Sequence, residues 1–112
     1  MLKMDTPNRN PSLTIEEVKA RHRRLAILRT LAGTTDGMGS LTIFRSWLPE
    51  VGLAVATDEL RADIRMLASA GLVVLKDDHD AWPFTLTQRG EEVAQGLITV
   101  DGVEKPTPDC PY

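Results

Sequence analysis

Arg61 and Arg65 carry the most specific chemistry in this chain. A guanidinium presents a planar fork of N–H donors that matches paired acceptors, such as the O6/N7 edge of guanine or two oxygens of a phosphate. One helical turn apart, the two side chains emerge together beside a stripe of Leu60, Ile64 and Leu67, with Ala62, Met66 and Ser69 farther round. A helix of this kind, turned outward, can enter a DNA major groove. Thr57 and Ser69 join the arginines as candidate contacts there, and Arg45 and Lys76 on flanking segments complete the candidate DNA set. Ala62 and Met66 are the candidates for meeting a protein surface instead.

Other features weigh against DNA. Asp58, Glu59 and Asp63 share the helix. Acidic residues in a first turn suit the helix dipole, and acid–base pairs along one helix give an ordinary solvated face. Asp77-Asp78-His79-Asp80 puts negative charge on a turn where a DNA-binding hairpin offers Lys or Arg, and Lys76 alone does not offset it. The same cluster is contiguous and lacks calcium-loop spacing, so it reads as a solvated turn and no metal is expected. Lys19, Arg21, His22, Arg23, Arg24 and Arg29 form a basic run, but successive helical residues spread around the axis and make no single stripe.

Nothing points to catalysis. Cys110 lies close to the end of the sequence, and neither His22 nor His79 has a nucleophile and an orienting carboxylate beside it in sequence. Gly33, Gly37 and Gly39 stand in a loop without the lysine that a phosphate loop requires. No cofactor is expected and the protein reads as a non-enzyme.

The elements that must position the arginines follow from caps and apolar spacing. The 112 residues suffice for one modest core. That core must be mainly aliphatic, because Trp47, Trp82, Phe44, Phe84 and Tyr112 are the whole aromatic complement, and both tryptophans read as packing residues. Residues 1–13, with Pro7, Asn8, Asn10 and Pro11, read as a disordered arm. Thr14 and Glu17 form a capping box for a first helix, in which Val18, Leu25, Leu28, Leu31 and Ala32 face one side and Gly33 is the stop. Thr34 to Gly39 reads as a loop. Ser40 caps a second helix carrying Leu41, Ile43, Phe44, Trp47 and Leu48, which Pro49 and Gly52 end. Val51 to Ala56 is a turn, Thr57 caps the third helix, and Gly71 ends it. Leu72–Leu75 and Trp82–Leu86 are predicted to pair as a hairpin, and Thr87 caps a last helix that stops at Gly96. Residues 98–112 read as a second hairpin over Thr99–Val103 or a loose tail.

Thirteen basic and sixteen acidic side chains leave a net charge of −3, so any attraction to a polyanion must be local. A single cysteine excludes an intramolecular disulfide and suits a reducing compartment. No apolar stretch reaches signal-peptide or membrane-spanning length, so a cytoplasmic protein without membrane contact is expected.

The fold class read from these elements is mainly α with a small β hairpin: a three-helix core, a two-stranded wing and a C-terminal helix over residues 14–97. With Ala70-Gly71-Leu72-Val73 and Leu86-Thr87-Gln88-Arg89-Gly90 at its joints, the order resembles winged helix-turn-helix regulators of the ArsR and MarR type. The metal-sensing ArsR branch would need paired thiolates or a His and carboxylate cluster, from which this sequence departs. The segment Gly102-Val103-Glu104-Lys105-Pro106 is similar to small ArsR-like proteins of Mu-like prophages, encoded near morphogenesis and packaging genes.

The resemblance implies one of two functions. One is a DNA-binding transcriptional regulator of phage or prophage origin, a homodimer on double-stranded DNA. The other is a protein-interaction module that serves phage assembly or packaging and meets a phage protein partner.

Overall fold

The computed structural model describes residues 13–112. Apart from Leu13, the expected N-terminal arm lies outside the described residues. In chain order the elements are α1 (Ile15–Ala32), β1 (Met38–Ser40), α2 (Leu41–Trp47), a 3-10 turn (Leu48–Val51), α3 (Thr57–Ser69), β2 (Val73–Leu75), β3 (Pro83–Leu86) and α4 (Gln88–Ala94). The protein is mainly helical, with a small antiparallel sheet in the order β1-β3-β2.

α1 starts as its capping box requires: the Thr14 hydroxyl accepts from the Glu17 N–H at 3.2 Å, and the Glu17 carboxylate accepts from the Thr14 N–H at 2.9 Å. The expected one-sided stripe is too narrow, however. Leu25, Ala26, Ile27 and Leu28 are all closed to solvent, so α1 is enclosed on every side over a full turn, while Ala32 is exposed. α3, α4 and β3 all pack against it.

β1 was not expected. Met38-Gly39-Ser40 has neither alternation nor β-branched residues, and it becomes a strand through its partner: Met38 pairs with Thr85, Gly39 with Phe84 and Ser40 with Pro83. Gly39 is needed there, because a Cβ would sit 2.8 Å from the Phe44 ring and 2.9 Å from Leu31. On the far side of β3, Val73, Val74 and Leu75 pair with Leu86, Thr85 and Phe84.

The Ser40 hydroxyl caps α2 by accepting from the Ile43 N–H at 3.1 Å. Phe44 faces inward and stacks on Phe84 with ring centroids 5.7 Å apart, joining α2 to the sheet. Burying a side chain of this size contributes about 1.5–3 kcal/mol. Ile43, among the apolar residues of α2, and Trp47, read as a packing residue, are exposed, and the Trp47 indole N–H donates to the Thr30 hydroxyl.

Thr57 does not cap α3. The helix begins one residue earlier than expected, with Ala56 at the cap in extended geometry and no side chain closing that end, so Thr57 occupies the first helical position. Leu60, Ile64 and Leu67 are buried as expected. Gly71 takes φ 78°, and the N–H of Leu72 donates back to the Leu67 carbonyl at 2.9 Å, completing a glycine-terminated helix end.

The two joints that carried the resemblance lock onto each other. The Thr87 hydroxyl accepts from the Gly90 N–H at 3.0 Å, capping α4, and donates to the Gly71 carbonyl at 2.7 Å. Thr87 N–H donates to Leu72 O, and Arg89 Nε to Ala70 O. A Cβ on Gly90 would lie 2.1 Å from the Leu72 carbonyl oxygen, so only glycine lets α4 approach this closely.

Residues 98–112, read as a hairpin or a loose tail, contain turns and no strand. The segment is packed in place by specific contacts with α1: Val103 is buried, Glu104 N–H donates to the Arg21 carbonyl, and Arg24 Nη1 donates to the Gly102 carbonyl at 3.0 Å.

Candidate functional site

α3 is held by a buried charge cluster on its inner side. Asp63, 1% exposed, accepts from Arg23 Nε at 2.6 Å and from Arg24 Nε at 2.9 Å, tying α3 to α1. Much of the basic run of α1 is thereby engaged by partners within the molecule. Arg21 pairs with Glu104 at 3.3 Å, and Arg29 donates to the Tyr112 carbonyl at 2.7 Å. Asp63 is thus neither a solvated acid nor a partner for the arginines of its own helix.

On the outer side, Arg61 and Arg65 converge on one ring. The Trp82 centroid lies 5.6 Å from the Arg61 guanidinium carbon and 4.7 Å from that of Arg65. Such a cation–π contact is worth about 0.5–1 kcal/mol at exposed sites and more when desolvated. Arg61 also reaches Asp58 at 3.3 Å, whereas Arg65 is exposed and forms no hydrogen bond or ion pair with any described residue. Its side-chain N–H donors are unengaged among the described residues.

The remaining candidates do not gather around this pair. Ser69, Arg45 and Lys76 are exposed and Thr57 is half-buried. No side-chain hydrogen bond or ion pair among the described residues joins any of them to Arg61 or Arg65. Lys76 follows β2 and its N–H donates to the Pro83 carbonyl, and the Asp77–Asp80 turn beyond it is exposed throughout. Ala62 is exposed, but Met66 is half-buried, its methyl 2.9 Å from where a Cβ on Gly102 would stand. Exposed large apolar side chains occur at Leu13, Ile15, Met38, Ile43, Trp47, Val74 and Leu97, and none of these is on α3.

Trp82 is the residue that sequence reasoning missed. It read as packing, and it is indeed almost buried, yet its ring also gathers the two arginines. Nothing local signals this role, because Trp82, just before β3, meets the arginines of α3 only in the folded chain.

A cleft of about 530 Å³ opens between α1 and the C-terminal segment, with Glu17, Arg21, Arg24, Asp101 and Lys105 among its lining. Its charges are mixed, and Arg24 is already engaged by Asp63 and Gly102, so it offers no convergent set of free donors. Among the described residues no group of three or more His, Cys, Asp or Glu could hold a metal ion, and no helix is long and apolar enough to cross a membrane.

The fold defines a small, mainly helical domain with a three-stranded sheet, in which one face of α3 presents Arg61 and Arg65. The chain is 34% identical over 94 residues to "Uncharacterized protein gp26" of Escherichia phage Mu, an alignment that spans 84% of this chain and 97% of that protein. It belongs to the family of that phage protein. No family model matches the chain, and no solved structure matches it.

Proposed function

We propose that this phage-related protein is a winged-helix DNA-binding protein of the ArsR and MarR type, acting as a transcriptional regulator with α3 as its reading helix. The observation that carries the reading is the exposed Arg65 guanidinium, fixed against Trp82 with its donors unengaged beside Arg61. The element order, with a hairpin between α3 and α4, supports the same reading. Arg61 and Arg65 take base edges, Ser69 and Thr57 flank them, and Arg45 and Lys76 meet phosphates. A dimer would present two such helices to a symmetric site.

A second reading has its own support. The exposed Asp77, Asp78 and Asp80 repel a DNA backbone, which suits an interaction module that meets a phage assembly or packaging protein through Ala62 and neighbouring α3 residues. The absence of a large exposed apolar side chain on α3 among the described residues favours the DNA reading over this one. Neither reading assigns a reaction to the protein.

The test is retention of fragmented phage DNA on immobilised protein, followed by elution with increasing salt. Retention that is lost as salt rises supports the regulator, because phosphate contacts release counterions. No retention at low salt overturns it in favour of the interaction module.

A further inference from the structure

Trp82 occupies a backbone conformation that bulky residues avoid. Its φ of 54° makes it the one non-glycine residue with positive φ among the described residues. A tryptophan persists there only when its surroundings over-determine the geometry, and such outliers concentrate at functional positions. Here the surroundings are explicit. Trp82 N–H donates to the His79 carbonyl at 2.9 Å, and the carbonyls of Ala81 and Trp82 accept from the Leu41 N–H at 3.1 and 3.3 Å. The start of α2 and the acidic turn therefore fix the backbone from two sides.

Filling the core does not by itself explain the choice of residue. An aliphatic side chain would also bury apolar area, but it has no π face to offer a cation. Trp82 is 8% exposed, and what covers its ring includes Arg61 and Arg65. A guanidinium laid flat on a ring engages it through its face and leaves its in-plane N–H groups free. For Arg65 no described residue uses them. A long, rotamer-rich side chain is thus held ready at the surface, which lowers the ordering cost of binding.

We propose that Trp82 is the positioning residue of the interface, holding Arg65 and Arg61 face-on so that their N–H edges meet a paired acceptor, either the O6/N7 edge of guanine or two phosphate oxygens. This rests on the reading of α3 as a DNA-contacting helix. Asp58 is the competing acceptor for Arg61, so Arg65 is the principal donor.

The experiment compares full-length wild type, Trp82→Phe, Trp82→Leu, Arg65→Ala and the Trp82→Leu/Arg65→Ala double variant, with folding checked by circular dichroism. The probe is a duplex enriched from a random-sequence pool by the wild type, and the same duplex with 7-deazaguanine in place of guanine. Trp82→Leu is expected to weaken binding by about 5–100-fold, and Trp82→Phe by less, as one positioned arginine contact is lost or loosened. Adding Arg65→Ala to Trp82→Leu produces little further loss, since both changes remove the same contact. A residue that merely supports the fold would instead give losses that multiply, and that outcome, or a folded Trp82→Leu that binds as wild type, overturns the proposal. Weaker wild-type binding to the 7-deazaguanine duplex identifies the guanine edge. Equal binding, with a salt dependence that flattens in Arg65→Ala, identifies phosphate.

A readout without DNA separates the platform from the reading on which it rests. In a Trp47→Phe protein, where Trp82 is the remaining tryptophan, Arg65→Ala must change the emission spectrum. An unchanged spectrum overturns the stacking even if Trp82→Leu fails to fold. If the wild type binds no duplex, the DNA reading falls and the positioning role falls with it, whatever the emission shows.

Discussion

The carboxylate of Asp63 in α3 receives the guanidinium of Arg23 in α1 at 2.6 Å, with both side chains almost closed to solvent. Arg24 approaches the other carboxylate oxygen at 2.9 Å. One acid therefore bridges two cations across the contact that sets the position of the outward helix. Removing it leaves both arginines without a counter-charge, and breaking a buried pair costs about 3–5 kcal/mol. Asp63→Ala is expected to lose stability on that scale in urea denaturation. Arg61→Ala, at the exposed Asp58 contact, should change it by about 1 kcal/mol or less. Equal, small effects for the two would show that the buried cluster does not fix α3.

The approach of Gly90 to Leu72 gives a second expectation. Added atoms in a packed site cost about 1–3 kcal/mol and occasionally more. Here the obstruction is a backbone oxygen 2.1 Å from the new Cβ, which cannot rotate away, so Gly90→Ala belongs at the upper end or beyond. Thermal melting checks this. A variant as stable as the wild type would contradict the contact between α4 and the end of α3.

Thr87 serves two helices with one hydroxyl, capping α4 and donating to Gly71 at the end of α3. Thr87→Ala should lower stability by about 1–2 kcal/mol, and Thr87→Ser should recover most of it. Urea denaturation of the pair provides the comparison. No recovery by serine would mean that the methyl group, not the hydroxyl, matters.

Tyr112 reports on the C-terminal segment. Burial, assisted by the neighbouring Cys110 and Glu104 and partly opposed by Arg29, pushes its phenol from 10 up to about 12. Because the folded state holds this proton more tightly, the contribution to stability is complete below pH 10 and is lost as the pH rises through about 12. Tyr112 is the sole tyrosine, so phenolate absorbance follows it without interference. The native protein should titrate near pH 12 and the urea-unfolded chain near its ordinary value. Coincident curves would show that this segment is not docked on α1.

What was legible beforehand was local chemistry. Thr14, Ser40 and Thr87 have hydroxyls and sit just before helical runs, and each caps as expected. Gly71 and Gly96 end helices at positive φ for the reason their type suggests. Thr57 has the same type as Thr14, but the chain enters α3 through an extended Ala56, and the hydroxyl falls one position too late to cap. What escaped was tertiary. Met38-Gly39-Ser40 is a strand because β3 lies beside it. Asp63 looks like a surface acid until α1 brings two arginines to it. Trp82 looks like core until α3 lays Arg61 and Arg65 over its ring. The arginines of the candidate site were readable from their spacing, whereas the ring that gathers them was not.

The central claim is that α3 meets DNA through Arg65. Fluorescence anisotropy of a labelled duplex, titrated with wild type, Arg65→Ala and exposed Lys19→Ala over a salt series, tests it most directly. The wild type should bind with an affinity that falls by about 0.9 log unit per log unit of salt for each phosphate contacted. Arg65→Ala should bind about 5–150-fold more weakly, the equivalent of about 1–3 kcal/mol, with Lys19→Ala within about 2-fold of wild type. No binding at any salt concentration, or a folded Arg65→Ala that binds as wild type does, would contradict it.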